Sequence, residues 1–407
     1  MRGNVIVGQS GGPTSVINSS LLGVFQGARK GKCRKIYGMR NGIEGLLEER
    51  YIDLEEYIKS DVDMELLKRT PSSFLGTCRY KLPHYEKDEK VYEKLFAILN
   101  KLEIKHFFYI GGNDSMDTIK KLDEYAKMIN SDITFMGVPK TIDNDLNKTD
   151  HTPGYGSAAK YIASAMKEII LDTDTYTTDS ITIVEIMGRN AGWLTAASAL
   201  ARTQDCPGPD LIYLPEIPFS YEKFVQDILE VKKRKSSAIV AVSEGIKNSD
   251  GVYICETQKE NLSVDVFGHK MLGETALYLS DRISKDTGMK SRGIVFSTLQ
   301  RCASHMVSRR DITEAYEAGS TAVAAALNGE SGKMTVFKRI SDEPSKIITD
   351  THIIGDIANI EKTVPKEWII NNGTYVSEEF FDYARPLIIG ELTPFMVDGV
   401  PRHLSIR

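Results

Sequence analysis

An α/β fold with mainly parallel sheets covered on both faces, divided into two domains, is what this 407-residue sequence predicts. Three observations carry that expectation. Short, apolar, β-branched runs recur along the chain, helical periodicity fills the segments between them, and the length is ordinary for two domains. The runs are Asn4–Gly8, His106–Gly111, Ile133–Val138, Ser180–Met187, Leu211–Leu214, Ser237–Val242 and Arg292–Thr298. Each is too short for a helix and rich in Val, Ile or aromatic residues, which marks a buried strand. Between them, Tyr221–Lys235 is a clear helix, with Phe224, Val225, Ile228, Leu229 and Val231 on one stripe. Ser220 stands ahead of it as an N-cap. From Gly329 onward the signal weakens: Lys333–Ile340 and Tyr375–Ile389 hold apolar and aromatic residues in no clear order.

Composition bounds the function. The chain is 41% apolar and 26% charged, with net charge -5, so no basic footprint points to nucleic acid. No stretch approaches the apolar length of a membrane span. Five cysteines at irregular spacing, with no C-x-x-C pair, point to reduced thiols in a cytoplasmic protein. The seven histidines show no metal-ligand spacing. Lys232-Lys233-Arg234-Lys235 closes a helix, where basic residues complement the dipole on a solvated face; an effector site for anionic metabolites is the alternative.

Ligands of open α/β sheets bind beyond the carboxyl ends of strands, so the loops there carry the functional reading. The first is Gly8-Gln9-Ser10-Gly11-Gly12-Pro13-Thr14. Glycines directly after a strand let backbone N–H groups approach phosphate oxygens, although a tight turn without a ligand uses the same residues. The second is Ile110-Gly111-Gly112-Asn113-Asp114-Ser115. A second strand–Gly–Gly–helix unit makes coincidence a poor account, and phosphoryl transfer needs several such donors. The third is Pro139-Lys140-Thr141-Ile142-Asp143-Asn144-Asp145. Carboxylates at i and i+2 face one side of an extended segment, about 6–7 Å apart. One can deprotonate a hydroxyl while the other holds Mg²⁺; a solvated Asp/Asn turn is the alternative.

Taken in order, Ser10-Gly11-Gly12, Gly111-Gly112, Thr141-Ile142-Asp143-Asn144-Asp145, Met187-Gly188-Arg189, Glu244-Gly245 and Gln300-Arg301 resemble the phosphofructokinase family, in particular its pyrophosphate-dependent branch. The resemblance implies two similar three-layer domains with the active site in the cleft between them. Residues 1–157 plus about 300–360 would bind the donor, and 158–299 plus about 361–407 would bind fructose 6-phosphate. It implies Asp143 as general base, and Asp145 with Asn113 at Mg²⁺. Gly12, Gly111 and Gly112 would line the donor phosphates, and Arg79 would reach the phosphoryl group in flight. Thr141, Ile142, Met187, Gly188 and Arg189 would meet the sugar phosphate, with Arg189 neutralising charge in the transition state. Glu244 would accept from sugar hydroxyls, and Arg292 and Arg301 would grip the 6-phosphate. Because the family shares sites between subunits, a homodimer or homotetramer is expected.

Some positions depart from the family. Asn113 stands where Asp is usual, Ser180 where ATP-using relatives carry Arg, and Thr298 where many carry His. Asp114 and Lys140 stand where ATP-using relatives have glycine. Asp114 would put a carboxylate where the α-phosphate of ATP must lie, and Lys140 would assist departure of phosphate. Pyrophosphate is therefore the expected donor. An ATP-dependent enzyme, or a non-catalytic regulatory subunit of the same fold, is the alternative.

Overall fold

The computed structural model describes residues 3–258 and 272–406; His269 lies outside them. Among these residues the seven predicted strands form, as β1 (Asn4–Gln9), β4 (Ile104–Gly111), β5 (Thr134–Pro139), β6 (Ser180–Ile186), β7 (Leu211–Tyr213), β8 (Ser237–Ser243) and β9 (Ser291–Val295). Short β2 (Ile36–Met39) and β3 (Tyr51–Asp53) join them, and so does a long hairpin, β10 (Lys333–Asp342) and β11 (Ser345–Ile353).

Two separate sheets result. The first has order β11-β10-β5-β4-β1-β2-β3; its inner pairs are parallel, and only β3 and β11, at the edges, run antiparallel. The second, β7-β8-β6-β9, is parallel throughout. Side chains alternate between two cores on each sheet, as the twofold period of a strand requires. In β4, Phe107 and Tyr109 enter one core while Phe108 and Ile110 enter the other. In β8, Ile239 and Ala241 face one core, and Ala238, Val240 and Val242 face its opposite. Apolar burial on both faces is why these strands read as continuous hydrophobic runs.

The helix Tyr221–Lys232 stops three residues earlier than predicted. Ser220 Oγ caps it by accepting from Lys223 N–H at 3.3 Å. Phe224, Ile228 and Val231 are buried, whereas Leu229 is 41% exposed, so the inward stripe is narrower than the sequence implied. At and just past the end of the helix, Lys232, Lys233 and Lys235 each pair with a carboxylate, on Asp179, Glu230 and Asp210. No disulfide joins the five cysteines, and no helix of the described residues is long and apolar enough to cross a membrane.

Strand order also locates the ligand crevice. In the first sheet the chain turns back between β1 and β4, and in the second between β6 and β9. Such switch points open a gap beyond the carboxyl ends of the strands.

Candidate active site

Two phosphate-type loops meet at the first switch point. Ser10 N–H donates to Ile110 O at 3.0 Å, and the Ser10 and Ser115 hydroxyls share a 2.5 Å hydrogen bond. Between them lies Gly111, where a Cβ would stand 1.9 Å from Ser115 Oγ and 2.7 Å from Ser10 Oγ. No side chain fits without parting the loops. Gly111→Ala should therefore cost about 1–3 kcal/mol, as overpacking does. The expected reading is a lower thermal midpoint; a wild-type value would mean the loops have slack to give.

A third loop is strapped onto the first. Thr77 Oγ1 donates to Gly11 O at 2.7 Å, and Gly11 N–H donates to Cys78 O at 3.2 Å. Arg79 is thereby placed in the cleft. Ahead of it all, the buried Gln9 amide accepts from Leu75 N–H and donates to Asn18 Oδ1, fixing where β1 ends.

The loop after β5 carries three ionisable groups that line the cleft, Lys140, Asp143 and Asp145. Lys140 is buried and donates from Nζ to Gly12 O at 2.6 Å, tying this loop to the first. Burial lowers its pKa to about 8, helped by Arg301 and Arg79 and opposed by Asp143 and Asp145. Asp143 N–H donates to Thr141 Oγ1 at 3.0 Å, and that hydroxyl lies 3.3 Å from Asp143 Oδ2. The segment is not extended as predicted. Asn144 has φ +56°, so the chain turns there, and both carboxylates still line one cleft. Burial raises the pKa of Asp143 against the pull of Lys140, Thr141, Arg189 and Arg301. Burial likewise brings Asp145 to about 7, with Asp143 and Glu361 adding to the rise.

Asn113 opens the helix Asn113–Met128 and donates from Nδ2 to Asp145 Oδ2 at 3.2 Å. Its Oδ1 is buried and accepts no hydrogen bond. An orphaned carbonyl oxygen beside a carboxylate is the donor set a hard divalent cation favours.

The opposite wall comes from the second sheet. Met187 N–H donates to Gln300 Oε1 at 3.1 Å, and Ser243 Oγ donates to Gly188 O at 2.5 Å. A Cβ on Gly245 would fall 2.0 Å from Arg189 O, so glycine there lets the Met187-Gly188-Arg189 loop close down on β8. Burial lifts Glu244 to about 7, opposed by the Gly188 N–H and Arg189.

These walls enclose a cleft of about 600 Å³ whose lining includes Gly12, Arg79, Gly112, Asn113, Asp114, Lys140, Thr141, Asp143, Asp145, Met187, Arg189, Glu244 and Arg301. Arg301 reaches toward the first loop, with Nη1 3.0 Å from where a Gly12 Cβ would be. Four predicted site residues are absent from this lining: Gly111 is closed in by Ser10 and Ser115, the Gly188 carbonyl is held by Ser243, and Ile142 and Arg292 lie elsewhere. The Ile142 side chain packs into the core beneath the loop. Arg292 is the second residue of β9, near the end of the sheet away from the cleft, where it donates to Thr182 Oγ1 and Thr173 Oγ1. Conversely, Tyr80, Asn190, Asn359 and Glu361 line the cleft and were not anticipated. Asn190 donates to Glu361 Oε1 at 3.1 Å from a position 171 residues earlier, and nothing local in either stretch announces that contact.

The family model described as phosphofructokinase matches residues 4–326. The chain is 38% identical to the pyrophosphate–fructose 6-phosphate 1-phosphotransferase of Halomonas elongata, covering 98% of this chain and 95% of that one. With the enzyme of the same name from Methylococcus capsulatus it shares 38%, over 99% of this chain and 96% of the relative. The crystal structure of the pyrophosphate-dependent phosphofructokinase from Nitrosospira multiformis superposes with a TM-score of 0.89 at 35% identity, covering 99% of this chain and 96% of that one. Fold, cleft and similarity converge, and the chain belongs to the phosphofructokinase family.

Proposed function

We propose that the chain reversibly transfers a phosphoryl group from pyrophosphate to the 1-hydroxyl of fructose 6-phosphate, giving fructose 1,6-bisphosphate and phosphate. The observation that carries this reading is Lys140, a buried ammonium fastened to the Gly12 carbonyl in a cleft that Asp114 also lines. A phosphate-handling cleft gains most from positive charge where the leaving group departs.

In this reading Asp143 takes the proton from the attacking hydroxyl, and Lys140 and Arg189 offset the charge moving onto the phosphoryl oxygens. Asp145 and the free Asn113 oxygen would hold Mg²⁺, which neutralises pyrophosphate oxygens when bound. Arg79 and the backbone of Gly12 and Gly112 hold the donor. Gly111 serves the same loops by letting them touch. Thr141, the Met187-Gly188 backbone and Glu244 orient the sugar, while Arg301 holds the 6-phosphate as a planar cation suits. The donor side is drawn from residues 1–157 plus about 300–360 and the sugar side from 158–299 plus about 361–407, with Thr141 and Arg301 reaching across from the first, and with Leu404 and Ile406 packed on the core of the first sheet.

Arg292 faces outward, half-exposed, at the amino end of its strand. That placement supports a homo-oligomer in which it completes the sugar site of a neighbouring copy.

A coupled assay with fructose 6-phosphate, comparing pyrophosphate and ATP at equal concentration, tests the whole reading. Turnover with pyrophosphate and little with ATP is expected. Activity with ATP alone would replace the donor, and no activity with either would favour a regulatory subunit.

A further inference from the structure

The reactive carboxylates flank Asn144, and what holds Asn144 comes from the far end of the chain. Its side chain is buried, and its left-handed backbone is the pivot of the turn that brings Asp143 and Asp145 into the cleft. On one side Asn144 Oδ1 accepts from Thr152 N–H at 3.1 Å. On the other, Nδ2 donates to the Tyr383 hydroxyl at 2.7 Å, across 239 residues of sequence. We propose that Tyr383 is the positioning residue of this loop, acting through Asn144 on Asp143 and Asp145; the proposal rests on the reading of Asp143 as the base.

Hydrogen-bond polarity makes the arrangement directional. Tyr383 OH also lies 2.8 Å from the Asp150 carbonyl, and a carbonyl only accepts. The phenolic proton therefore goes to Asp150, and the phenolic oxygen is left to accept from Asn144. That settles which end of the amide faces the tyrosine, and so which end faces Thr152. The amide has one orientation.

Tyr383 is itself tied to parts of the fold remote from one another. Its backbone carbonyl accepts from Arg339 of β10 at 3.1 Å, and the same guanidinium grips the Asp150 carboxylate with two 3.0 Å bonds. Asp150 in turn holds His151 at 2.8 Å, whose other nitrogen meets Glu314 at 2.7 Å. The Tyr383 ring packs on Trp193 and Trp368, with centroids 5.2 and 5.6 Å away. A hydroxyl fixed from the hairpin of the first sheet and from the aromatic core of the second can hold the loop between them to a narrow range of positions. Reacting groups misplaced by about 1 Å can lose 10²-fold in rate, so this order reaches the chemistry.

Tyr383→Phe keeps the ring and removes only the hydroxyl. Its kcat should fall about tenfold, or about 1.4 kcal/mol of barrier, with both KM values within about twofold of wild type. Trp368→Phe loosens the same aromatic packing without touching Asn144. It should lower the thermal midpoint and keep kcat within about twofold. A crystal structure of Tyr383→Phe should show the 143–145 loop displaced. Retained kcat in Tyr383→Phe, an equal loss in Trp368→Phe, or an unmoved loop would each overturn the proposal. If wild type uses ATP rather than pyrophosphate, the donor assignment fails alone, and the kinetic comparison runs with ATP. Absence of turnover with either donor would fail the reading of the reaction, and the loop in the crystal still decides the role of Tyr383.

Discussion

Asp143→Ser should lower turnover by roughly 10²–10⁴-fold, the range a positioned base supplies, while the KM for fructose 6-phosphate changes far less. The split follows from where the interaction acts. A base that removes a proton in the transition state contributes little to ground-state binding, so its loss appears in kcat. The surroundings of Asp143 suit a base, because burial raises its pKa while Lys140, Arg189 and Arg301 pull it back toward the ionised form. Raised proton affinity suits a group that must accept a proton, and the neighbouring cations favour its ionised form. Near-normal turnover in the variant would remove Asp143 from the mechanism. The same variant tests subunit sharing. Arg292→Ala should raise the KM for fructose 6-phosphate about tenfold or more, since a charge-assisted contact is worth about 1.5–3 kcal/mol. Mixing Asp143→Ser with Arg292→Ala chains should partly restore activity, because each hybrid dimer regains one site with both residues intact. Hybrids that form and stay inactive would place Arg292 outside any shared site.

How far the sequence exposes this site depends on how local each interaction is. The loops at Ser10, Gly111 and Lys140 were legible because each follows an apolar strand buried on both faces, and glycine or a carboxylate after such a strand is conspicuous. β2 and β3 carry no continuous buried apolar run to read: Gly38 interrupts the first, and every residue of the second is only half-buried. The hairpin gave a mixed signal for a physical reason. Met334 to Phe337 are buried, but the rest of β10 and all of β11 alternate between intermediate and exposed positions. Around the site, the illegible part is what tertiary structure brings in. Glu361 pairs with Leu146 through an isolated bridge, and Tyr383 reaches Asn144 from a seven-residue helix. The turn at Asn144 has no local signature either, because its side chain is held by Thr152 and by the distant Tyr383. Arg292 was legible as a residue of the family pattern, but its outward direction is a property of β9 in the assembled sheet.

Pyrophosphate should serve as donor in the wild type with ATP nearly excluded, and two single substitutions should move that preference in opposite ways. Asp114 lies in the first turn of its helix and lines the cleft, and Lys140 directs its ammonium to Gly12 O. The two side chains therefore do not neutralise each other as a simple capping pair. A carboxylate about 4 Å from the α-phosphate of ATP, at an effective dielectric near 20, repels it by roughly 4 kcal/mol, or about a thousandfold in affinity. Pyrophosphate carries no third phosphate and escapes that cost. Asp114→Gly should therefore admit ATP measurably and leave the pyrophosphate reaction largely in place, losing at most the roughly 0.3–1 kcal/mol an acidic side chain contributes at a helix start. Lys140→Gly should depress turnover with pyrophosphate by about 10²–10³-fold, the scale for removing one preorganised charge from the departing group. The pH profile separates this from a packing defect. Burial holds the Lys140 ammonium near a pKa of about 8 in the free enzyme, so its charge is present below that pH and is lost as pH rises through it. Since kcat/KM reports the free enzyme, it should decline with pyrophosphate on the alkaline side from about 8, and Lys140→Gly should abolish that limb. Robust ATP-dependent activity of the unmodified chain, or an alkaline limb that survives in Lys140→Gly, would move donor selection to residues other than this pair.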